Sequence, residues 1–215
     1  IIVGLGHWVL DQACQQMRQW RDQGMAPPVI AIDLCLTQLK TGPELIYDVL
    51  RTTARWELAP WDLRFDVTEA TLAQTKWTHN DVLPRLCELG VQIAIDDFGT
   101  EYSSFDYLKT YRVNHLKLAQ RFLDSANVDP ENAMTLRAII NFARDVGIGI
   151  IAEGVETQEQ RTTLMSSGGS MQAQGHYFST AVDSGQASEL LKAGTIVPVT
   201  DHWTRPASQG SESNP

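Results

Sequence analysis

The fold is indicated most directly by the stretch Ile93-Ala94-Ile95-Asp96-Asp97-Phe98-Gly99-Thr100, in which apolar residues precede two adjacent carboxylates and a glycine. Three consecutive apolar residues are typical of a strand buried on both faces, and the glycine predicts the turn that ends it. Two neighbouring carboxylates at a strand end repel each other and lose hydration, so a divalent cation beside them would stabilise the arrangement. The alternative is a solvated pair in which one Asp caps the following helix, which is the commoner explanation for an arbitrary pair of aspartates.

The sequence on either side of this stretch alternates between predicted strands and predicted helices. Besides the strand that ends in the two aspartates, strands are expected at residues 29–34, 63–68, 115–118, 148–152 and 171–178. Helices are expected at residues 7–23, 43–53, 82–89, 104–110, 131–146, 158–165 and 185–192. Six strands that alternate with helices predict a parallel sheet.

Polar side chains near the carboxyl ends of these strands favour the metal site over the solvated pair. They are Asp33, Asp66, Glu69, Asp96, Asp97, Lys117, Glu153, Glu156 and Gln174. A barrel collects polar groups from every strand around one site, whereas an open doubly wound sheet gathers them at one switch point. We therefore predict an α/β fold, a TIM-type (β/α)8 barrel with about six strands present. The remaining strands would precede Ile1, and the missing initiator Met also indicates a fragment.

Composition and charge limit the class of protein. The 215 residues carry a net charge of −9, which argues against binding to duplex nucleic acid or to an anionic membrane. No apolar run is long enough for a membrane span, and Cys14, Cys35 and Cys87 are expected to be buried free thiols in a reducing cytoplasm. One barrel domain is expected over residues 1–194, followed by a disordered tail at 195–215.

Four motifs in this order resemble the EAL domain, the cyclic di-GMP phosphodiesterase family of bacterial second-messenger signalling. The motifs are Asp96-Asp97-Phe98-Gly99-Thr100 with Tyr102-Ser103-Ser104, Leu116-Lys117-Leu118, Ile151-Ala152-Glu153-Gly154-Val155-Glu156-Thr157, and Gln174-Gly175. The resemblance runs from about Leu5 to about Leu191. The Glu-Xaa-Leu strand that gives the family its name is absent from this sequence.

The resemblance implies a two-metal hydrolysis of cyclic di-GMP (c-di-GMP) to linear pGpG, with Mg²⁺ or Mn²⁺ as the ions. Oxygen ligands suit these ions, whereas a zinc site would call for His or Cys. The metal ligands implied by similarity are Asp33, Asp66, Asp96, Asp97 and Glu153. Lys117 is implied to hold the attacking water, and Glu153 is implied to act also as a general base. Supporting polar groups are implied at Glu69, Gln174 and Glu156. Glu69 is implied to steady the loop after Asp97. For Glu156, a salt bridge within its loop is an equally good explanation.

The partners that the resemblance implies are cyclic di-GMP and a second copy of the chain. In the family, the loop after Asp97 is tied to dimerisation, so a homodimer through this loop is expected. Fusion to a sensor or GGDEF domain in the parent protein is also common among such domains.

Several departures from the family pattern favour a second function class, a catalytically degenerate domain that binds cyclic di-GMP or a protein partner. Ala119 stands where the family carries an Asp, and Glu101 replaces a loop glycine. Asp66 stands where the family carries a Glu, and the shorter side chain withdraws its carboxylate by about 1.5 Å. Among the remaining conspicuous residues, Arg64 is expected to be solvated and His115 to have a structural or surface role.

Overall fold

The structure is a computed structural model that describes residues 1–25, 27, 29–75, 81–99, 108, 111–126, 129–168 and 171–194. The strands are β1 Ile30–Asp33, β2 Leu63–Thr68, β3 Gln92–Phe98, β4 His115–Leu118, β5 Gly149–Ala152 and β6 Gln172–Ala173. The helices are α1 Ile2–Asp22, α2 Leu36–Leu39, α3 Pro43–Arg55, α4 Glu69–Thr75, α5 Val82–Glu88, α6 Gln120–Ala126, α7 Pro130–Asp145, α8 Gln158–Ser166 and α9 Ser184–Ala193, with a 3₁₀ turn at Pro60–Asp62.

The six strands form one parallel sheet in the order β1-β2-β3-β4-β5-β6, curled into a half-barrel with helices on its outer side. Each strand pairs with the next one along the chain, which is the arrangement of a (β/α)8 barrel rather than of a doubly wound sheet. The predicted α/β class and barrel type are therefore confirmed.

The two faces of the sheet carry different side chains because residues alternate along each strand. Ile32 and Phe65 line a cavity together with Leu10 of α1 and Leu45 of α3, so this face of the sheet packs against the helices. The intervening residues, such as Asp66 on β2, point to the concave face of the half-barrel. Polar residues are therefore collected on the concave face and the apolar core lies outside the sheet.

The last strand is shorter than predicted: residues 171–178 were expected as strand, but pairing ends at Ala173. The chain instead wraps around Val155, whose N–H donates to the Gln174 carbonyl while its own carbonyl accepts from the Tyr177 N–H. Gly175 has a φ of 153° and touches the Val155 backbone so closely that a Cβ would lie 2.2 Å from the Val155 oxygen. This bend ends the strand and places Gln174 just beyond it.

Other element boundaries differ from the predictions by small amounts. Helix α1 begins at Ile2 rather than His7, because the apolar stripe of Leu10, Cys14 and Met17 continues back to Val3 across two glycines. Helices α2, α4 and α6 were not predicted. The predicted helix at 104–110 and the predicted tail at 195–215 lie outside the described residues, except for Leu108.

All three cysteines are free thiols, as predicted, but Cys14 alone is fully buried, and Cys35 and Cys87 are half-buried. Burial raises the pKa of the Cys14 thiol to about 12, which makes it unreactive at neutral pH. Within the part of the chain that the structure describes, no helix combines the length and the apolar character needed to cross a bilayer.

Candidate metal centre

A bulge at the end of β3 brings the carboxylates of both aspartates to one place. Adjacent strand residues normally point to opposite faces. Here Ile95 pairs with Leu116 and Phe98 with Leu118, so that Asp96 and Asp97 together oppose a single residue of β4. Asp97 has a φ of 53°, a left-handed conformation that Asp tolerates better than most residues. Its N–H donates to Asp96 Oδ1 at 2.9 Å, which fixes the bulge.

Lys117 on β4 lies at the centre of the concave face and binds three carboxylates. Its Nζ is 3.0 Å from Asp66 Oδ2, 3.1 Å from Asp96 Oδ2 and 2.8 Å from Glu153 Oε1. Burial opposes the positive charge, but the hydrogen bonds to Glu153 and Asp66 outweigh it and raise the pKa of Lys117 above its ordinary value. The ammonium group therefore remains protonated throughout the physiological range.

Asp96, Asp97 and Glu153 form a group that is able to hold a cation. One carboxylate oxygen from each lies within 4.8 Å of the others. Burial, together with the negative charge of Asp96, raises the pKa of Glu153 despite the opposing effect of Lys117. A second positive charge would relieve this repulsion. The donors are all carboxylate oxygens, which suits Mg²⁺ or Mn²⁺.

Two further predicted polar residues contact the centre. Gln174 Nε2 donates to Glu153 Oε1 at 2.6 Å, so it orients the carboxylate that also binds Lys117. Glu69 is buried at the start of α4, and its Oε2 accepts from the Gly99 N–H at 3.1 Å. Glu69 is thus hydrogen-bonded to the backbone that follows the two aspartates, and its role in steadying this loop remains a prediction.

The other predicted residues lie outside the group of Asp96, Asp97 and Glu153. Asp33 is exposed at the end of β1 and is paired in register with Asp66 on β2. Glu156 is half-buried, and its N–H donates to Gln160 Oε1 at 2.7 Å. The metal-binding roles of Asp33 and Asp66 and the functional role of Glu156 remain predictions. Glu101 and the loop expected to support dimerisation lie outside the described residues.

Arg64 was expected to be solvated, and this prediction was wrong. The side chain is 8% exposed, and its Nε donates to Asp66 Oδ1 at 3.0 Å. The signal that sequence reasoning passed over was the alternation along β2, which places residues 64 and 66 on the same face as Lys117. His115 lies on this face too, half-buried, and its buried Nδ1 has no hydrogen-bond partner among the described residues.

Comparisons with a family model, with curated proteins and with solved structures all point to the same family. The family model for the EAL domain matches residues 1–181. The chain is 39% identical over 164 residues to the bifunctional diguanylate cyclase/cyclic di-GMP phosphodiesterase MucR of Pseudomonas aeruginosa. The aligned residues cover 76% of this chain and 24% of that protein. The chain spans about a quarter of the length of the curated relatives it matches first.

Two solved structures share the fold over most of the chain. The PaMucR phosphodiesterase in complex with c-di-GMP superposes with a TM-score of 0.79 at 36% identity, covering 86% of this chain and 74% of that one. The EAL domain of Mycobacterium smegmatis DcpA gives a TM-score of 0.81 at 33% identity, covering 92% of this chain and 88% of that one. The half-barrel, the acidic group at its strand ends and these relatives agree, and this chain belongs to the EAL domain family.

Proposed function

We propose that this chain is a metal-dependent phosphodiesterase domain that hydrolyses cyclic di-GMP to linear pGpG. The observation that carries the proposal is Lys117, buried on the concave face and bound to Asp96 and Glu153, two of the three carboxylates suited to a divalent ion. Relatives at 36–39% identity include a protein named as a cyclic di-GMP phosphodiesterase and its complex with c-di-GMP.

Asp96, Asp97 and Glu153 would hold the ion, with Asp33 as a further oxygen donor. A divalent ion in such a site supplies Lewis-acid polarisation of a phosphoryl oxygen. The two-metal arrangement that the resemblance implies needs additional ligands, and Asp33 is the exposed candidate among the described residues at the strand ends. Mg²⁺ and Mn²⁺ are the ions that this donor set favours.

The side chains of the centre have separable roles in the proposed reaction. Lys117 is protonated and offsets the negative charge that a phosphodiester brings to an acidic site. Glu153 is aligned by Gln174, as a general base for an attacking water requires. Glu69 keeps the turn at Gly99 in place, so that Asp97 retains its left-handed conformation.

A receptor function is the second candidate, and one observation favours it specifically. Ala119 is buried directly after β4, at the position where the family carries a carboxylate. Loss of that carboxylate removes an oxygen ligand and weakens the case for a complete two-metal site. In this alternative the domain would bind cyclic di-GMP or a protein partner without cleaving it.

Incubation of the chain with cyclic di-GMP in Mg²⁺ or in Mn²⁺, followed by chromatography of the nucleotides, distinguishes the two functions. The enzyme proposal predicts linear pGpG that depends on the ion. Binding of cyclic di-GMP by calorimetry without any pGpG would establish the receptor instead. Asp145→Asn is a suitable control because this exposed carboxylate ends α7 shortly before β5 begins, at the opposite end of the sheet from the metal centre.

The context of the domain is part of the proposal. We place it in the cytoplasm of a bacterial cell, as one domain over residues 1–194 of a longer signalling protein that carries sensor or GGDEF domains. A homodimer through the loop after Asp97 is proposed as its assembly. The sequence of the full-length protein tests the proposed additional domains, and a measurement of its oligomeric state in solution tests the proposed homodimer.

A further inference from the structure

Asp66 lies deeper in the half-barrel than the group that is suited to a metal ion. In the parallel register Asp66 is opposite Ala94, whereas Asp96 is opposite Thr68. The two carboxylates therefore start two residues apart along the strands, which is about 6.6 Å. The Asp66 side chain is 5% exposed and that of Asp96 is 21% exposed. Among the described residues, the carboxylates whose oxygens lie within 4.8 Å of one another are those of Asp96, Asp97 and Glu153, and Asp66 is not one of them.

Both oxygens of Asp66 already have cationic partners. Arg64 Nε donates to Oδ1 and Lys117 Nζ lies 3.0 Å from Oδ2. Arg64 is itself buried, and a buried guanidinium without a carboxylate would carry a large desolvation penalty. Withdrawal of Asp66 toward an ion at the strand ends would break this pair and leave Arg64 unpaired.

We propose that Arg64 and Asp66 form a positioning pair that holds Lys117 in place, and that Asp66 does not ligate the metal. This role replaces the ligand role that the family resemblance implies for Asp66, and it rests on the proposed function of the centre. Lys117 has a flexible four-carbon side chain and three nearby carboxylates. The fixed carboxylate of Asp66 beneath it selects one orientation of its ammonium group toward Asp96 and Glu153.

Equilibrium titration with Mn²⁺ alone, followed by the electron paramagnetic resonance signal of free Mn²⁺, tests this assignment. The Asp66→Asn variant is expected to bind the same number of Mn²⁺ ions as the wild type, with a dissociation constant within threefold. Asp97→Asn is the positive control and is expected to bind at least tenfold more weakly. A tenfold or greater loss of affinity in Asp66→Asn, or the loss of one bound ion, would overturn the inference.

The matched control for the stability of these variants is Asp62→Asn. Asp62 is a buried carboxylate paired with an arginine, Arg21, at 2.6 Å, but it lies before β2, away from the strand ends that carry the metal centre. With c-di-GMP as substrate and saturating Mn²⁺, Asp66→Asn and Arg64→Met are each expected to lower kcat ten- to a hundredfold with KM unchanged. The double variant is expected to be no slower than the slower single variant, and Asp62→Asn is expected to retain the wild-type kcat.

Different results would contradict the proposed function and the role assigned to Asp66. Absence of Mn²⁺ binding by the folded wild type would overturn the proposed metal centre and this inference with it. Mn²⁺ binding that is unchanged in Asp66→Asn, in a wild type that does not cleave c-di-GMP, would contradict the enzyme proposal and still support the assignment of Asp66. Wild-type kcat in both Asp66→Asn and Arg64→Met would overturn the positioning role.

Discussion

Replacement of Lys117 by Met removes the central cation of the concave face at nearly constant volume. The Lys117 side chain is 6% exposed, and its Nζ lies 2.8–3.1 Å from three carboxylate oxygens. One of these oxygens belongs to Asp66, whose side chain is only 5% exposed. Removing one partner of a buried ion pair leaves a buried charge without compensation, which typically costs about 3–5 kcal/mol. Arg64 still pairs with Asp66, so we expect the lower end of this range.

Thermal and urea unfolding in metal-free buffer measure this loss. For a chain of this size, a loss of about 3 kcal/mol corresponds to a fall in Tm of about 6–12 °C. Lys192→Met is the control because Lys192 is more than half exposed and pairs with an exposed glutamate, and its replacement is expected to leave Tm unchanged.

Added Mn²⁺ should stabilise Lys117→Met more than it stabilises the wild type, because the ion supplies the positive charge that the variant lacks. At one fixed Mn²⁺ concentration, about 100 times the dissociation constant of the wild type, the wild type gains about 2.7 kcal/mol if only its folded state binds the ion, and a variant that binds the ion more tightly gains more. A loss of less than about 1 kcal/mol in metal-free buffer would refute the reasoning that Lys117 holds the acidic face together. An equal Mn²⁺ stabilisation of both proteins would refute the charge argument.

Three further predictions concern single positions in or near the centre. Asp97→Asn should abolish cleavage of c-di-GMP while leaving Tm within a few degrees, because the side chain is exposed; retained turnover would contradict its role as a ligand. Ala119→Asp should raise the cleavage rate, by restoring the carboxylate at the family position, and an unchanged rate would show that this carboxylate does not limit the reaction. Burial, with Arg64 nearby, lowers the pKa of His115, so the unfolded state binds more protons and stability falls as pH drops below about 6.5. The slope of this dependence is at most about 1.4 kcal/mol per pH unit, and His115→Gln should remove it. Urea unfolding of both proteins at pH 7.5 and at lower pH measures the effect, and the same change in unfolding free energy in both proteins would contradict the prediction.

The alternation of apolar strands and helices was sufficient to predict the architecture, because a parallel α/β sheet leaves the same pattern in every repeat. The strand at residues 63–68 and the helix at 43–53 were predicted within two residues of their observed ends. The last strand was overestimated because the bend at Gly175 depends on close contact with Val155, which is 20 residues away in sequence. Short-range patterns carry no information about such contacts.

The candidate site was predicted in its composition but not in its geometry. Polar residues at strand ends identified Asp96, Asp97, Lys117 and Glu153, and the structure brings these four together. The bulge that turns both aspartates to one face depends on the register with β4, which the sequence of β3 alone does not determine. The burial of Arg64 was missed because a charged side chain in a strand is usually solvated, and only its pairing with Asp66 makes burial tolerable.

The most direct test of the central claim is the initial rate of c-di-GMP cleavage as a function of Mn²⁺ concentration, measured side by side for the wild type and Asp97→Asn. We predict linear pGpG from the wild type, with a rate that saturates with Mn²⁺ and falls to background in EDTA, and no product from the variant. Equal rates in the two proteins, or a wild-type rate that is unaffected by EDTA, would contradict a metal centre built on Asp96, Asp97 and Glu153.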